Sequence, residues 1–286
     1  MKINKISLKA LAYPEILRNI PSPPKELYVQ GPLEDLLCQP RLAVVGSRKV
    51  TAYGRGVTHK LSSASAQAGV VIISGLALGV DSIAHEAALE SGGKTIAVLP
   101  CGLDKPYPAQ HRQLAGKILN MGGAIVSEYP EGTPPLVQHF IARNRLVSGL
   151  SDGVLITEAA ARSGTLHTAN FALNQGRTVM AVPGNITSPY SMGTNNLIKS
   201  GALPVTCPED IFSALNLIVK PVAERELLGS NREETLLLSL LTEGTTEAAE
   251  LLTQSGLEAG AFNQTLTMLE INGHIRPLGA GHWTLL

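Results

Sequence analysis

From about residue 42 to 215 the chain alternates short apolar, β-branched runs with polar stretches of helical length. The runs fall at residues 42–45, 70–74, 95–99, 124–127, 154–157, 179–182 and 203–206. Between them, residues 54–68, 82–90, 111–120 and 166–174 carry helical patterns. Alternation of this kind predicts parallel strands with crossover helices on both faces of one sheet. Strands buried on both faces read as unbroken apolar runs, and these do.

Ahead of this block, residues 13–20 read as a short helix. The cluster Pro21, Pro23 and Pro24 follows, and residues 27–30 form a possible edge strand. This segment, 1–40, is expected to cap the main domain, 41–217. Pro221 and Gly229-Ser230 then bracket a polar linker, 218–229. Beyond it lie three amphipathic stretches, 233–241, 246–253 and 258–272, then a Gly-rich turn and a strand-like end at 282–286. Three helices and a β-hairpin in so few residues predict a winged-helix-like domain over 230–286.

Composition narrows the class. Of 286 residues, 44% are hydrophobic, 28 are glycine and only 4% are aromatic, which suits a sheet flanked by helices. Cys38, Cys101 and Cys207 lie far apart with no metal-ligand spacing, so they read as reduced thiols in a cytoplasmic protein with no metal or cofactor. Residues 1–10 lack a continuous apolar core, which predicts no signal peptide. No apolar run approaches the roughly 18 residues of a membrane span.

Net charge is zero, but its distribution is uneven. Residues 231–286 hold two arginines against seven glutamates, a net of −5, which leaves 1–230 at +5. No carboxylate lies between Asp35 and Asp81, where Arg41, Arg48, Lys49, Arg55 and Lys60 all fall. Attraction of phosphate depends on the local field, so this stretch is where a polyanion would be met.

Three loops that follow strands carry the candidate chemistry, because ligands of open parallel sheets bind beyond the carboxyl ends of the strands. Gly46-Ser47-Arg48 combines a small residue, a hydroxyl and a fork of donors suited to phosphate. The stretch from Ser74 and Gly75 to Gly79 and Asp81 runs into a helix whose first N–H groups are unpaired. Ser163-Gly164-Thr165 opens another helix, either as a plain cap or as a phosphate cradle. Arg143-Asn144-Arg145 adds two guanidinium groups at i and i+2, which point to different sides of a helix. One is expected to face the crevice and the other to pair with Glu128 or Glu158. Phe140, beside them, is a candidate for base stacking or for core packing.

Catalytic signatures are missing: there is no GxSxG, HExxH or P-loop, nor the GxGxxG spacing of dinucleotide binders. Glu158 is the best acid/base candidate, with pairing to an arginine as its structural alternative. His85 reads as a hydrogen-bonded structural histidine.

The ordered motifs resemble those of the DprA/Smf family. They are Val45-Gly46-Ser47-Arg48, the 74–81 loop with Ala84-His85, Gly102-Leu103-Asp104 with Tyr107-Pro108, and Ser127-Glu128-Tyr129-Pro130. Arg143-Asn144-Arg145, Ser163-Gly164-Thr165 with Thr168-Ala169, and Val182-Pro183-Gly184 complete the set. The resemblance covers 42–212 and extends to the C-terminal module. It implies an extended Rossmann-like domain, usually dimeric, that binds and protects incoming single-stranded DNA and helps load the RecA recombinase in natural transformation, without being an enzyme. Its pocket would map onto Arg48, Arg143, Arg145 and the 163–165 loop, with Gly75 and Gly79 allowing close backbone approach. Ile141 stands where the family often has proline, and His111 where it has asparagine. Neither change removes a cation. The net −5 of the C-terminal module implies a protein-interaction or regulatory role. The alternatives are a Rossmann-like enzyme that cleaves the N-glycosidic bond of a nucleoside monophosphate, a dinucleotide-dependent oxidoreductase, and a duplex-binding repressor.

Overall fold

The computed structural model describes residues 2–217, 231–242, 244–279 and 281–285. They form two compact units, Met1–Ile218 and Val219–Leu286. The expected linker, 218–229, lies outside the described residues.

The first unit is built on a nine-stranded sheet. In chain order its strands are β1 (Asn4–Ser7), β2 (Glu26–Gln30), β3 (Arg41–Val45), β4 (Val71–Ser74), β5 (Thr95–Leu99), β6 (Ala124–Ser127), β7 (Gly153–Ile156), β8 (Thr178–Ala181) and β9 (Leu203–Pro204). Their spatial order is β1-β2-β6-β5-β4-β3-β7-β8-β9. Every pair from β6 to β9 is parallel, while β1–β2 and β2–β6 are antiparallel. The chain thus winds outward from β3 in both directions, and the order reverses between β3 and β7. Crossovers leave that switch point in opposite directions, so the loops after β3 and β7 part and leave a crevice.

Successive residues of each strand feed opposite faces. Ala43 and Val45 join Ile73, Val98 and Ile156 beneath helices Val137–Gly149 and Thr165–Asn174. Leu42 and Val44 join Ile72, Leu155 and Met180 beneath helices Ala52–Gln67, Val80–Glu90 and Pro208–Ala214. Both faces are covered, which is why the strands read as continuous apolar runs.

The N-terminal segment behaves differently from the cap expected for 1–40. It contributes β1 and β2 to the sheet and Tyr13, Leu17, Ile20 and Leu27 to the core. Residues 27–30 are not an edge strand: β2 has a neighbour on each side, and the edge is β1. The sequence Asn4-Lys5-Ile6-Ser7 is mostly exposed, so it carries no apolar signature.

In the second unit, helices Arg232–Thr242, Ala248–Ser255 and Ala259–Ile271 precede the hairpin β10 (Ile275–Gly279) and β11 (His282–Leu285). Leu237, Leu251, Phe262, Leu266 and Ile275 form a separate core. This is the three-helix-and-wing arrangement expected from the sequence.

Candidate nucleic-acid interface

A crevice of about 730 Å³ opens at the β3/β7 switch point. One wall is Gly46–Lys49, directly after β3; another is Ser163-Gly164-Thr165, at the start of the helix that follows β7. Asn144 and Arg143 reach in from helix Val137–Gly149, whose first turn also brings Phe140.

The Ser47–Lys49 turn is held from several sides. The Ser47 N–H donates to the Glu158 carbonyl at 2.8 Å, and the Val80 N–H donates to the Ser47 carbonyl at 3.1 Å. The Ser47 hydroxyl closes the turn on the Lys49 backbone at 2.8 and 3.1 Å. At the far end, Thr51 caps helix Ala52–Gln67 and gives both its N–H (2.9 Å) and its hydroxyl (2.5 Å) to the Glu158 carboxylate. Glu158, only 2% exposed, therefore staples both ends of the turn: one by its backbone, the other by its side chain. Among the described residues the arginine pairing expected of Glu158 is not formed, because the N-cap Thr51 already supplies its donors.

The turn presents two cations. Arg48 is exposed, and its guanidinium lies 5.1 Å from the centroid of the Phe140 ring. Among the described residues it makes no ion pair. Tyr107 meets the same ring edge-on at 5.6 Å. Lys49, also exposed, lines the crevice beside it. The core-packing alternative for Phe140 is not met: the ring lies in the crevice and outside the core clusters.

Across from the cations, the Thr165 hydroxyl donates to the Gly46 carbonyl at 2.9 Å and accepts from Ser163 at 3.0 Å. Gly164 stands at the N-cap of the helix, and the Ser163 hydroxyl accepts from the Thr165 N–H at 3.2 Å while the Ser163 carbonyl accepts from the Leu166 N–H at 3.1 Å, the plain-cap reading of this loop. The helix dipole leaves partial positive charge at this end, although its first N–H groups are already held.

Arg143 occupies a different role from Arg48. It is 4% exposed, and its Nη1 donates to the Gly75 carbonyl at 2.5 Å and to the Val98 carbonyl. Nε reaches Asn144 Oδ1 at 3.3 Å. Burial pushes this guanidinium below its ordinary pKa, against the pull of Asp81. Asp81 in turn accepts from the Gly75 and Ala77 N–H groups at 3.1 and 3.3 Å. Burial raises its carboxyl pKa, with Arg143 and those two N–H groups opposing. Arg143 thus ties the ends of β4 and β5 together under the crevice floor.

Four residues expected at the site do not line it. Arg145 points away and forms a two-pronged pair with Glu128, at 3.0 and 2.6 Å. Ser74 is buried and donates to the Val44 carbonyl at 2.6 Å, fastening β4 to β3. Gly75 and Gly79 do permit close approach, but to protein. A Cβ on Gly75 would run into the Arg143 guanidinium, and one on Gly79 (φ +83°) into the Ser47 and Arg48 carbonyls. The first N–H of helix Val80–Glu90 is likewise spent on Ser47, so that helix start is closed to ligands.

Lys49, Tyr107, Tyr190 and Asp81 line the crevice without having been assigned to the contact surface. For three of them a signal existed: Lys49 follows Arg48 in the carboxylate-free stretch, Asp81 ends the 74–81 loop, and Tyr107 stands in the Tyr107-Pro108 motif of the resemblance. Tyr190 comes from a distant loop, and nothing local marks it. His85 is structural: its Nδ1 meets Thr95 Oγ1 at 2.6 Å, inside the core.

The first unit is a doubly wound, mostly parallel, Rossmann-like sheet with a cationic, aromatic crevice at its switch point, and a winged-helix-like unit follows it along the chain. Residues 4–216 match the family model for DNA recombination-mediator protein A, and residues 221–281 match the DprA winged helix domain. The chain belongs to the DprA/Smf family. It is 49% identical over 203 residues to Protein Smf of Escherichia coli, covering 71% of this chain and 54% of that protein's length. It is 40% identical to the DNA processing protein DprA of Bacillus subtilis, over 74% of this chain and 71% of the relative. The X-ray structure of DprA from Streptococcus pneumoniae superposes with a TM-score of 0.69 at 41% identity, covering 74% of each chain. DprA from Helicobacter pylori, whose structure is described in terms of its single-stranded DNA binding mode, gives 0.68 at 34%, covering 76% of this chain and 96% of that one.

Among the described residues no helix is long and apolar enough to cross a membrane, and no group of three or more His, Cys, Asp or Glu side chains is placed to hold a metal.

Proposed function

We propose that this chain binds single-stranded DNA in the β3/β7 crevice and acts as a binding protein rather than an enzyme. The observation that carries this reading is the placement of Arg48 and Lys49 on one stapled turn in a crevice that also holds the Phe140 and Tyr107 rings, with Arg48 over Phe140, and the Ser163-Gly164-Thr165 loop. Cations that track the backbone, with rings that take bases, are the two components single-strand binding requires. The H. pylori relative, described by its single-stranded DNA binding mode, supports the same substrate. Gly46, Ser47, Arg48, Asn144, Ser163, Gly164 and Thr165 form the contact surface. Arg143, Ser74, Gly75 and Gly79 shape it from behind.

Phosphate contacts set the affinity, so binding is strongly salt-dependent and weakly sequence-dependent. The bound strand is protected and passed to the RecA recombinase in the cytoplasm, a role in keeping with a family described as recombination mediators. A homodimer would place two crevices on one strand and raise apparent affinity through effective concentration. The acidic C-terminal unit serves protein contacts, since its net −5 repels phosphate.

The test is a salt-titrated comparison of single-strand, duplex and mononucleotide binding by wild type and Arg48→Ala. The variant is expected to lose about 1–3 kcal/mol of single-strand affinity. Its slope against log salt should fall by about one phosphate contact. Unchanged single-strand affinity in Arg48→Ala would remove the crevice from the binding site.

A further inference from the structure

A second cavity, about 650 Å³, lies beside the crevice and has different chemistry. Its walls come from Thr51 and Tyr53 at the start of helix Ala52–Gln67, Glu158 after β7, and the loop after β8 that carries Pro183, Asn185 and Ile186. The sheet order β4-β3-β7-β8 sets the loop after β8, which lines the second cavity, next to the loops after β3 and β7, which line the crevice. Glu158 lines the second cavity, while Ala160 and Ser163, a few residues further on, line the crevice.

Among the described residues no lysine or arginine lines this cavity, and its ionisable wall groups are Tyr53 and Glu158, an anion already holding Thr51. Such a space rejects phosphate. What it offers instead is apolar and flat. The Tyr53 ring is 51% exposed, yet its hydroxyl is tethered to the Pro183 carbonyl at 2.7 Å, which fixes the ring without covering it. Ile186 stands 89% exposed on the opposing loop. That loop is a built wall. Asn195 grips Gly184 through both its N–H and its carbonyl at 3.1 and 3.0 Å, and Asn185 Oδ1 accepts from the Thr187 N–H and hydroxyl at 2.9 and 2.8 Å. A pre-fixed aromatic ring and an exposed aliphatic side chain, beside a cationic groove but with no cation of their own, suit an uncharged heteroaromatic ring.

We propose that this cavity is a nucleobase slot: the strand whose phosphates sit on Arg48 and Lys49 continues over Glu158 and lodges a base between Tyr53 and Ile186. The inference rests on the reading of the crevice as the phosphate site, and it extends the path by at least one nucleotide. Stacking of this type is sequence-tolerant, because every base has a π-face.

The experiment uses the full chain and a set of equal-length single-stranded oligonucleotides, each with one 2-aminopurine at a successive position. In wild type, one position is expected to show strong stacking quench. Tyr53→Ala and Ile186→Ser should each abolish that quench and weaken binding about 5- to 100-fold, with an unchanged salt slope because no phosphate contact is lost and no charge is added. Tyr53→Phe, which keeps the ring, should retain the quench. Ile186 is nearly all in solvent, so its replacement leaves folding intact even where Tyr53→Ala does not. Arg48→Ala separates the two claims: it should weaken binding and flatten the salt slope while the position of the quench stays. If Arg48→Ala weakens binding but Tyr53→Ala and Ile186→Ser bind as wild type, the slot is refuted and the crevice stands. If they instead change the oligomeric state and leave binding per protomer intact, the surface belongs to a second copy of the chain and the slot is equally refuted. Binding unaffected by Arg48→Ala overturns the crevice and the slot with it.

Discussion

Arg143→Met isolates what the buried guanidinium does. Methionine refills most of the volume but removes the donors that satisfy the Gly75 and Val98 carbonyls at the ends of β4 and β5. It also removes the positive charge that offsets burial of Asp81. A hydrogen bond from a charged donor contributes about 1.5–3 kcal/mol, and removing one member of a buried charged set costs about 3–5 kcal/mol. The expected loss is therefore about 3–5 kcal/mol of unfolding free energy in the first unit. For a domain of this size that corresponds to a fall in Tm of roughly 6–20 °C. Urea and thermal unfolding of the full chain, followed by fluorescence and circular dichroism, read the effect. Arg48→Ala is the control: an exposed arginine with no ion pair should change stability by less than about 0.5 kcal/mol. Single-strand binding of folded Arg143→Met, measured well below its midpoint, should fall through distortion of the crevice floor, with the salt slope kept. A variant as stable as wild type but with a salt slope lowered by one contact would refute the reasoning, for Arg143 would then be touching phosphate.

Glu158→Gln should loosen the Ser47–Thr51 turn, lowering stability by about 1–2 kcal/mol and speeding dissociation of single-stranded DNA more than it slows association; stopped-flow kinetics check this. Gly79→Ala forces a side chain into the left-handed region against the Ser47 and Arg48 carbonyls. It should cost at least about 1–2 kcal/mol and weaken strand binding together with stability, as denaturant titration and fluorescence anisotropy would show. His85 supplies a pH dependence. Burial, then His111 and Arg143, lower its pKa to about 3, so it is neutral in the fold and charges near 6.5 when unfolded. Thr95 donates its hydroxyl to the Ile72 carbonyl, so His85 Nδ1 must carry the proton, and Nε2 is buried without a partner. A depressed pKa means full stability above pH 6.5 and progressive loss below it, about 3 kcal/mol from this group by pH 4.5. His85→Asn should flatten that fall, and an imidazole that titrates near 6 by NMR would contradict it.

Much of the scaffold was legible from pattern. Six of the apolar runs are strands because a sheet covered on both faces buries consecutive residues, as in Thr95–Leu99, where Ile96 to Leu99 are apolar and all five are buried; the seventh, β9, is an exposed edge. β1 stayed hidden because Asn4–Ser7 is an exposed edge whose place is set by pairing with β2, a partner some twenty residues away. The Gly-Ser-Arg turn and the 163–165 helix start were legible as site elements, since each follows a strand end that the alternation itself locates.

The residue types and their order along the chain determined the parallel sheet, the separate acidic module and the anion-seeking loops. The burial of each polar group was a tertiary decision. Arg48, Arg143 and Arg145 look alike in sequence. The fold leaves the first over an aromatic ring in solvent, plugs the second between strand ends, and pairs the third with Glu128. A guanidinium's role follows from which acceptors lie within about 3 Å and whether water competes for it. Those acceptors come from strands 17 to 68 residues away. Local sequence carries no record of that distance; chain winding through the switch point sets it.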